Sequence, residues 1–167
     1  MASIALRETA PGAAAGSVGA PRMTAEPMTW ITLRRSGRQP LRFKGALLAE
    51  ATGHASEGRL WHELNIYSRQ TGGFVVDLRV FKKDRGQKDI FHVHAFETLG
   101  EVVSFLEDFD PTADVPVNVD TDAPGCTTAR LTLKAVALRQ RIEDVTRDYR
   151  SLVGDLLFQL EAVETAS

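Results

Sequence analysis

Cysteine is almost missing from this chain of 167 residues: Cys126 stands alone. No internal disulfide can form, and the compartment such usage fits is the reducing cytoplasm. Long apolar runs are missing too, since none approaches the roughly 18 to 20 residues needed to cross a bilayer. Positive charge is not in excess. Lys and Arg total 20 against 22 Asp and Glu, a formal net charge of -2, which removes the simplest electrostatic case for a nucleic-acid or anionic-membrane partner while leaving room for a local basic stripe.

Signatures of chemistry are absent as well. Gly72-Gly73 falls between two expected strands and Gly125 follows Pro124, so no glycine-rich loop opens a helix as a phosphate cradle would. Asp114, Asp120 and Asp122 lack the alternating ligands and central glycine of a calcium loop. Cys126 has no histidine in the helix or flanks around it to serve as a base for nucleophilic chemistry. No catalysis and no cofactor are expected.

What is present is architecture. The 43% hydrophobic and 25% charged content is that of a globular domain long enough to bury a core. Residues 1–28 are dominated by Ala, Gly, Pro and Thr, without a period and without an aromatic before Trp30, so a disordered tail is predicted. Glu8, Pro11 and the glycines interrupt any signal-peptide core. Met23 and Met28 are alternative starts.

From Thr29 the period is two. Thr29, Ile31 and Leu33 alternate with Trp30, Thr32 and Arg34, and Ser36 to Pro40 has turn composition. Leu41, Phe43, Gly45 and Leu47 then share a side, giving a hairpin with a bulge expected at Gly45 or in the stretch after it, where Ala46 to Ala49 blurs the alternation. Leu60, His62, Leu64 and Ile66 oppose Trp61, Glu63, Asn65 and Tyr67; after the turn at Thr71-Gly72-Gly73, Phe74, Val76, Leu78 and Val80 form an apolar row. Beyond the turn Asp84-Arg85-Gly86-Gln87, Phe91, Val93 and Ala95 are expected to continue that row, with Ile90, His92 and His94 behind it.

At Thr98 the period switches to 3.6. Thr98 and Glu101 have capping-box spacing, and Leu99, Val102, Val103, Leu106 and Phe109 share a stripe, so a short helix should lie across the apolar face and stop before Pro111. A proline- and aspartate-rich loop follows, with a short edge strand expected at Val115 to Val119. From Thr128 to Val163, Leu131, Ala135, Leu138, Ile142, Val145, Tyr149, Leu152 and Leu156 alternate steps of four and three, the seam of a long helix. Gly154 inside it marks a bend or close contact. The expected fold class is α+β: an antiparallel β-meander of about five strands, a short helix on one face, and a long C-terminal helix of coiled-coil character. The divisions are 1–28 (tail), 29–110 (sheet and short helix), 111–126 (loop) and 127–164 (long helix).

Two side-chain groups invite a functional reading. His92 and His94 share a strand face, a common beginning of a metal site. With His62 pointing into the core and this pair pointing away, the three cannot converge, and Asp77 or Glu63 would have to complete the set; no metal is expected. On the exposed face, matching apolar rows places Glu63, Arg79 and His92 side by side, Asn65, Asp77 and His94 side by side, and Trp61 beside Phe81 and Ile90. Trp61, Tyr67 and Phe81 with Arg79 could then stack nucleobases. Leu60-Trp61-His62-Glu63-Leu64, the Gly-Gly hairpin, and Phe96-Glu97-Thr98-Leu99-Gly100-Glu101-Val102 are similar in order to WGR domains, which are nucleic-acid-associated modules. Where that family carries Trp-Gly-Arg this chain has Val80-Phe81-Lys82-Lys83, so the resemblance is of layout and brings no functional residue.

The long helix gives the leading expectation. At about 50 Å it outruns the small sheet domain, its first turns up to Leu138 packing on the sheet and the part from Ile142 to Leu160 needing cover. The reading is a small non-enzymatic cytoplasmic accessory protein that dimerises, or docks on a protein partner, through Leu138, Ile142, Val145, Tyr149, Leu152, Leu156 and Leu160. A nucleic-acid module using Trp61, Tyr67, Arg79, Phe81, His92 and His94 is the second expectation. A small metalloprotein or enzyme at the two strand histidines is the third, and no membrane partner is expected.

Overall fold

The computed structural model of the chain describes residues 27–53, 60–83, 86–117 and 124–165, so the expected tail lies almost wholly outside the described residues, as do His54 and the turn positions Asp84 and Arg85. Strict alternation makes the middle strands. Leu64 pairs with Leu78 and Ile66 with Val76 across β3 (Leu60–Arg69) and β4 (Phe74–Lys82), and all four side chains are fully buried on one face. The turn between them uses Gly72 and Gly73 at positive φ, and a Cβ on Gly73 would run into the Phe96 carbonyl. With β1 (Thr29–Leu33), β2 (Leu41–Thr52) and β5 (Ile90–Phe96), these strands form one antiparallel sheet in sequence order.

The expected bulge is present: the β2–β3 register shifts between Leu47 and Ala49. It turns Ala49 and Ala51, both buried, toward the helical side, where their small side chains let a helix approach. Helix α1 (Leu99–Asp108) begins with the predicted capping box, Thr98 accepting from Glu101 N–H and the Glu101 carboxylate accepting from the Thr98 and Glu97 N–H groups. Thr98→Ala is expected to lower stability by about 1 kcal/mol in urea titration, and Ser in its place to restore most of it. Val102 and Leu106 bury its inner stripe.

Helix α2 (Thr128–Thr165) is 38 residues long, about 57 Å. It crosses β2 and β3 and touches α1. Val145, Tyr149, Leu152, Val153, Leu156 and Leu160 are buried in the same core as Leu64 and Leu78. Tyr149 donates its hydroxyl to the Leu106 carbonyl at 2.8 Å, satisfying an acceptor that the last turn of α1 leaves without a helical partner. Gln159 bonds both the N–H and the C=O of Glu50, at 3.2 and 2.9 Å, where β2 has run past the end of β1. The expected order of packing along α2 is therefore reversed. It is the second half that the sheet covers, and the first turns that overhang.

Two further expectations are corrected. β5 pairs Val76 with His94 and Leu78 with His92, so Ile90, His92, His94 and Phe96 face the helices while Phe91 and Val93 face the other way, one residue out from the expected row. The opposite face is not a water-facing ladder. Leu33, Phe43, Val75 and Val93 form a second buried cluster there, with Ile31, Leu41 and Tyr67 against it. The sheet curls around this cluster until the turn after β1 meets β5: Ser36 N–H donates to the Phe91 carbonyl at 3.0 Å and Phe91 N–H to Ser36 Oγ at 2.9 Å. Val115 is buried but no strand includes it among the described residues. Positions 118 and 119 lie outside them.

Candidate interaction surfaces

The polar row inside the curl is held together by one guanidinium. Arg79 reaches Asp77 Oδ2 with Nε at 2.8 Å and Nη2 at 2.7 Å, and Glu63 lies 3.7 Å from its Nη1. Asp77 is 1% exposed and its Oδ1 has no hydrogen bond. Burial holds its carboxyl above the usual range, against the pull of Arg79. A guanidinium already held by two carboxylates has little left to offer a phosphate. In place of the expected neighbours His92 and His94, this row continues into Phe91 beside Arg79 and Val93 beside Asp77.

The aromatics do not form one platform. Trp61 and Phe81 stack on each other, centroids 5.2 Å apart and planes 18° from parallel, with Phe91 edge-on to Phe81. Tyr67 sits edge-on to Phe43 at 5.8 Å, inside the second cluster. The expected nucleobase surface of Trp61, Tyr67 and Phe81 is thus divided between a stacked pair and a buried cluster.

The histidines share a face after all, but rings of α1 and α2 lie between and above them. His62 is buried edge-on to Tyr149 at 5.2 Å and to Phe109 at 6.1 Å. Burial pulls its pKa down to about 4, with Asp114 opposing and His92 assisting. His92 packs on Phe109 and His94 on Phe105; burial lowers both, and Arg38 and Arg35 add to the effect at His94. Among the described residues no three His, Cys, Asp or Glu groups cluster as metal ligands. Asp114 is engaged by Lys82 at 2.9 Å.

Two surfaces among the described residues bear on function. One is the overhang of α2, where Leu133 is 70%, Val136 61% and Ile142 38% exposed, Leu131 is half-exposed, and only Leu138 reaches the margin of the core. Of the residues expected to meet a partner, Leu138 and Ile142 lie here, whereas Val145, Tyr149, Leu152, Leu156 and Leu160 are spent on the chain's own sheet. The other is the seam where β1 and β2 face β5, which the sequence reading passed over. Its signal was the run from Pro27 to Ala49, which holds Arg34, Arg35, Arg38, Arg42 and Lys44 and no acidic residue. No helix among the described residues is long and apolar enough to cross a membrane. Comparison with family models, curated proteins and solved structures finds no match.

Proposed function

We propose that the protein is a non-enzymatic interaction module that pairs with a second copy of itself through the overhanging first half of α2. The observation that carries this reading is the incompletely covered apolar seam Leu131, Ala135, Leu138 and Ile142, with Ala135 and Ile142 exposed and Leu131 and Leu138 half-buried, which continues the buried seam of the same helix beyond the body. Its four-three-four spacing reads the same in both directions. A two-fold axis between Ala135 and Leu138 sets Leu131 opposite Ile142 of the partner subunit and Ala135 opposite Leu138 of the partner subunit, a large residue facing a large one and a small one facing a large one.

Charge favours the same arrangement. Arg130, Lys134, Arg139 and Arg141 occupy the overhang without an acidic residue, and Glu143, Asp144 and Asp148 follow it, so antiparallel pairing brings Arg130 of each copy to Glu143 of the partner subunit. The contact is about 20 Å long, small for an interface. Partial burial of these side chains at about 1.5 to 3 kcal/mol for a whole residue, set against the cost of association, gives a dissociation constant on the order of micromolar.

Light scattering from low to high micromolar concentration should show a mass rising from one chain to two. Leu131→Glu with Ile142→Glu should hold it at one without lowering the helical signal. A native chain that stays monomeric across that range overturns the reading, and so does a dimer that the double substitution leaves intact.

A further inference from the structure

The curled sheet comes close to closing but does not, and the strip along which it stays open gathers Arg34, Arg35, Arg38, Arg42, Lys44 and Lys88 in a chain whose formal net charge is -2. Ser36 and Phe91 join the two edges at one point. On one side of that point a cleft of about 680 Å³ is lined by Arg34, Arg35, Lys88 and Phe91. Sharing Arg35, Ser36 and Phe91 with it, a smaller one of about 210 Å³ adds Arg38, His92 and His94. Farther along, a third of about 360 Å³ lies between Trp30, Arg42, Lys44 and Ala95.

Along this strip the cations lack carboxylate partners, two of their guanidinium groups lie over aromatic rings instead, and backbone groups of β5 face outward. Among the described residues, Arg69, Arg79, Lys82, Arg139 and Arg147 have carboxylate partners, whereas Arg34, Arg35, Arg38, Arg42 and Lys44 have none. Asp89 is the acid at the rim, where it accepts from the Lys82 N–H. Trp30 is 64% exposed with the Arg42 guanidinium 4.8 Å from its ring centre, and Arg34 stands 5.2 Å over Phe91. β5 is an edge strand. Because strand geometry alternates, the N–H and C=O groups of Val93 and Ala95 point the same way as those Phe91 gives to Ser36, and no backbone bond among the described residues occupies them.

We infer that this seam binds single-stranded nucleic acid, phosphates lying along Arg34, Arg35, Arg38 and Arg42 and a base stacking on Trp30. Guanidinium groups match phosphate oxygens in charge and in planar donor geometry. An exposed indole accepts any base on its face, and the free edge of β5 supplies donors and acceptors to base edges. The five residues of β1 span about 17 Å, room for two or three extended nucleotides, and stacking on Trp30 calls for an unpaired base. An acidic peptide would satisfy the cations and the strand edge but has no planar group for Trp30. The seam lies on different elements from the α2 overhang, so either assignment can fail alone.

The test is fluorescence anisotropy of a labelled oligothymidylate of about 12 nucleotides with the full chain, titrated at several salt concentrations. Binding should weaken as salt rises, log K falling about 0.7 per log unit of salt for each phosphate contacted. Arg34→Glu with Arg38→Glu should weaken it at least tenfold, and Trp30→Ala about tenfold, both with unchanged circular dichroism, while Arg150→Glu, at an exposed position of α2 beyond the overhang, should leave it unaltered. Absence of binding at low salt overturns the inference. So does equal affinity for a duplex of the same length, displacement by polyglutamate at matched charge, or displacement by pyrophosphate at matched phosphate concentration.

Discussion

Leu156→Ala should lower the unfolding free energy by about 3 to 4 kcal/mol in urea titration, read at a protein concentration below that of self-association. Leu156 is fully buried, in one cluster with Ile66, Leu78 and Leu106. Truncation there removes its transfer energy and opens a cavity between a helix and a sheet that cannot close independently. The matched change Leu133→Ala, at a side chain 70% exposed, should stay within about 0.5 kcal/mol. The contrast tests which half of α2 the sheet holds. Equal effects at the two positions would mean that the helix is not seated as described.

The second large effect is in pH. His62 is buried, and its folded pKa of about 4 lies below the ordinary 6.5. The folded chain therefore binds this proton more weakly than the unfolded chain, and protonation favours unfolding. Its contribution is whole above pH 6.5 and is lost as pH falls toward 4, about 3 kcal/mol in all. His92 and His94, also lowered, act in the same direction. Asp77 acts in the opposite one: a carboxyl raised by burial costs stability as pH rises through its titration. The clean measurement is accordingly the difference in urea midpoint between the native chain and His62→Leu across that pH range. The variant should lose most of the slope, and an unchanged slope would place the titrating group elsewhere.

The elements were legible in the sequence and their partners only partly. Thr98 with Glu101 announced a helix start, the blurred alternation at Ala46 to Ala49 announced a bulge, and the switches from period two to 3.6 divided sheet from helices; each is a local signal, and each local element formed as expected. What misled was periodicity where both sides are apolar. Ile90 to Phe96 alternates acceptably in either parity, because Val93 suits the second cluster, Phe91 suits the edge of Phe81, and His92 and His94 suit the rings of Phe109 and Phe105. A one-residue slip then exchanges the faces. The consecutive run Phe74-Val75-Val76 was the sign that both faces are covered, as unbroken apolar strands are. Along α2 the seam is uniform, so its phase names the inner face but not the inner half. The widening at Val153, Leu156, Leu157 and Leu160 carried that information. For the basic seam, whole-chain net charge averaged away a hairpin whose cations all share one sign.

Because every strand of the sheet lies beside its neighbours in sequence, pairing proceeds by short hairpin closures, whereas the bond from Gln159 to Glu50 joins positions 109 apart. A nascent chain leaving the ribosome can thus assemble its meander and lay α1 on one part of it, and it cannot complete the cover over Leu64, Ile66 and Leu78 before Leu156 and Leu160 have been translated. The last turns of the chain decide the whole. Until they arrive the half-made protein exposes the part of its apolar sheet face that α1 leaves bare, and a message broken off before Leu152 yields a sheet without its long cover.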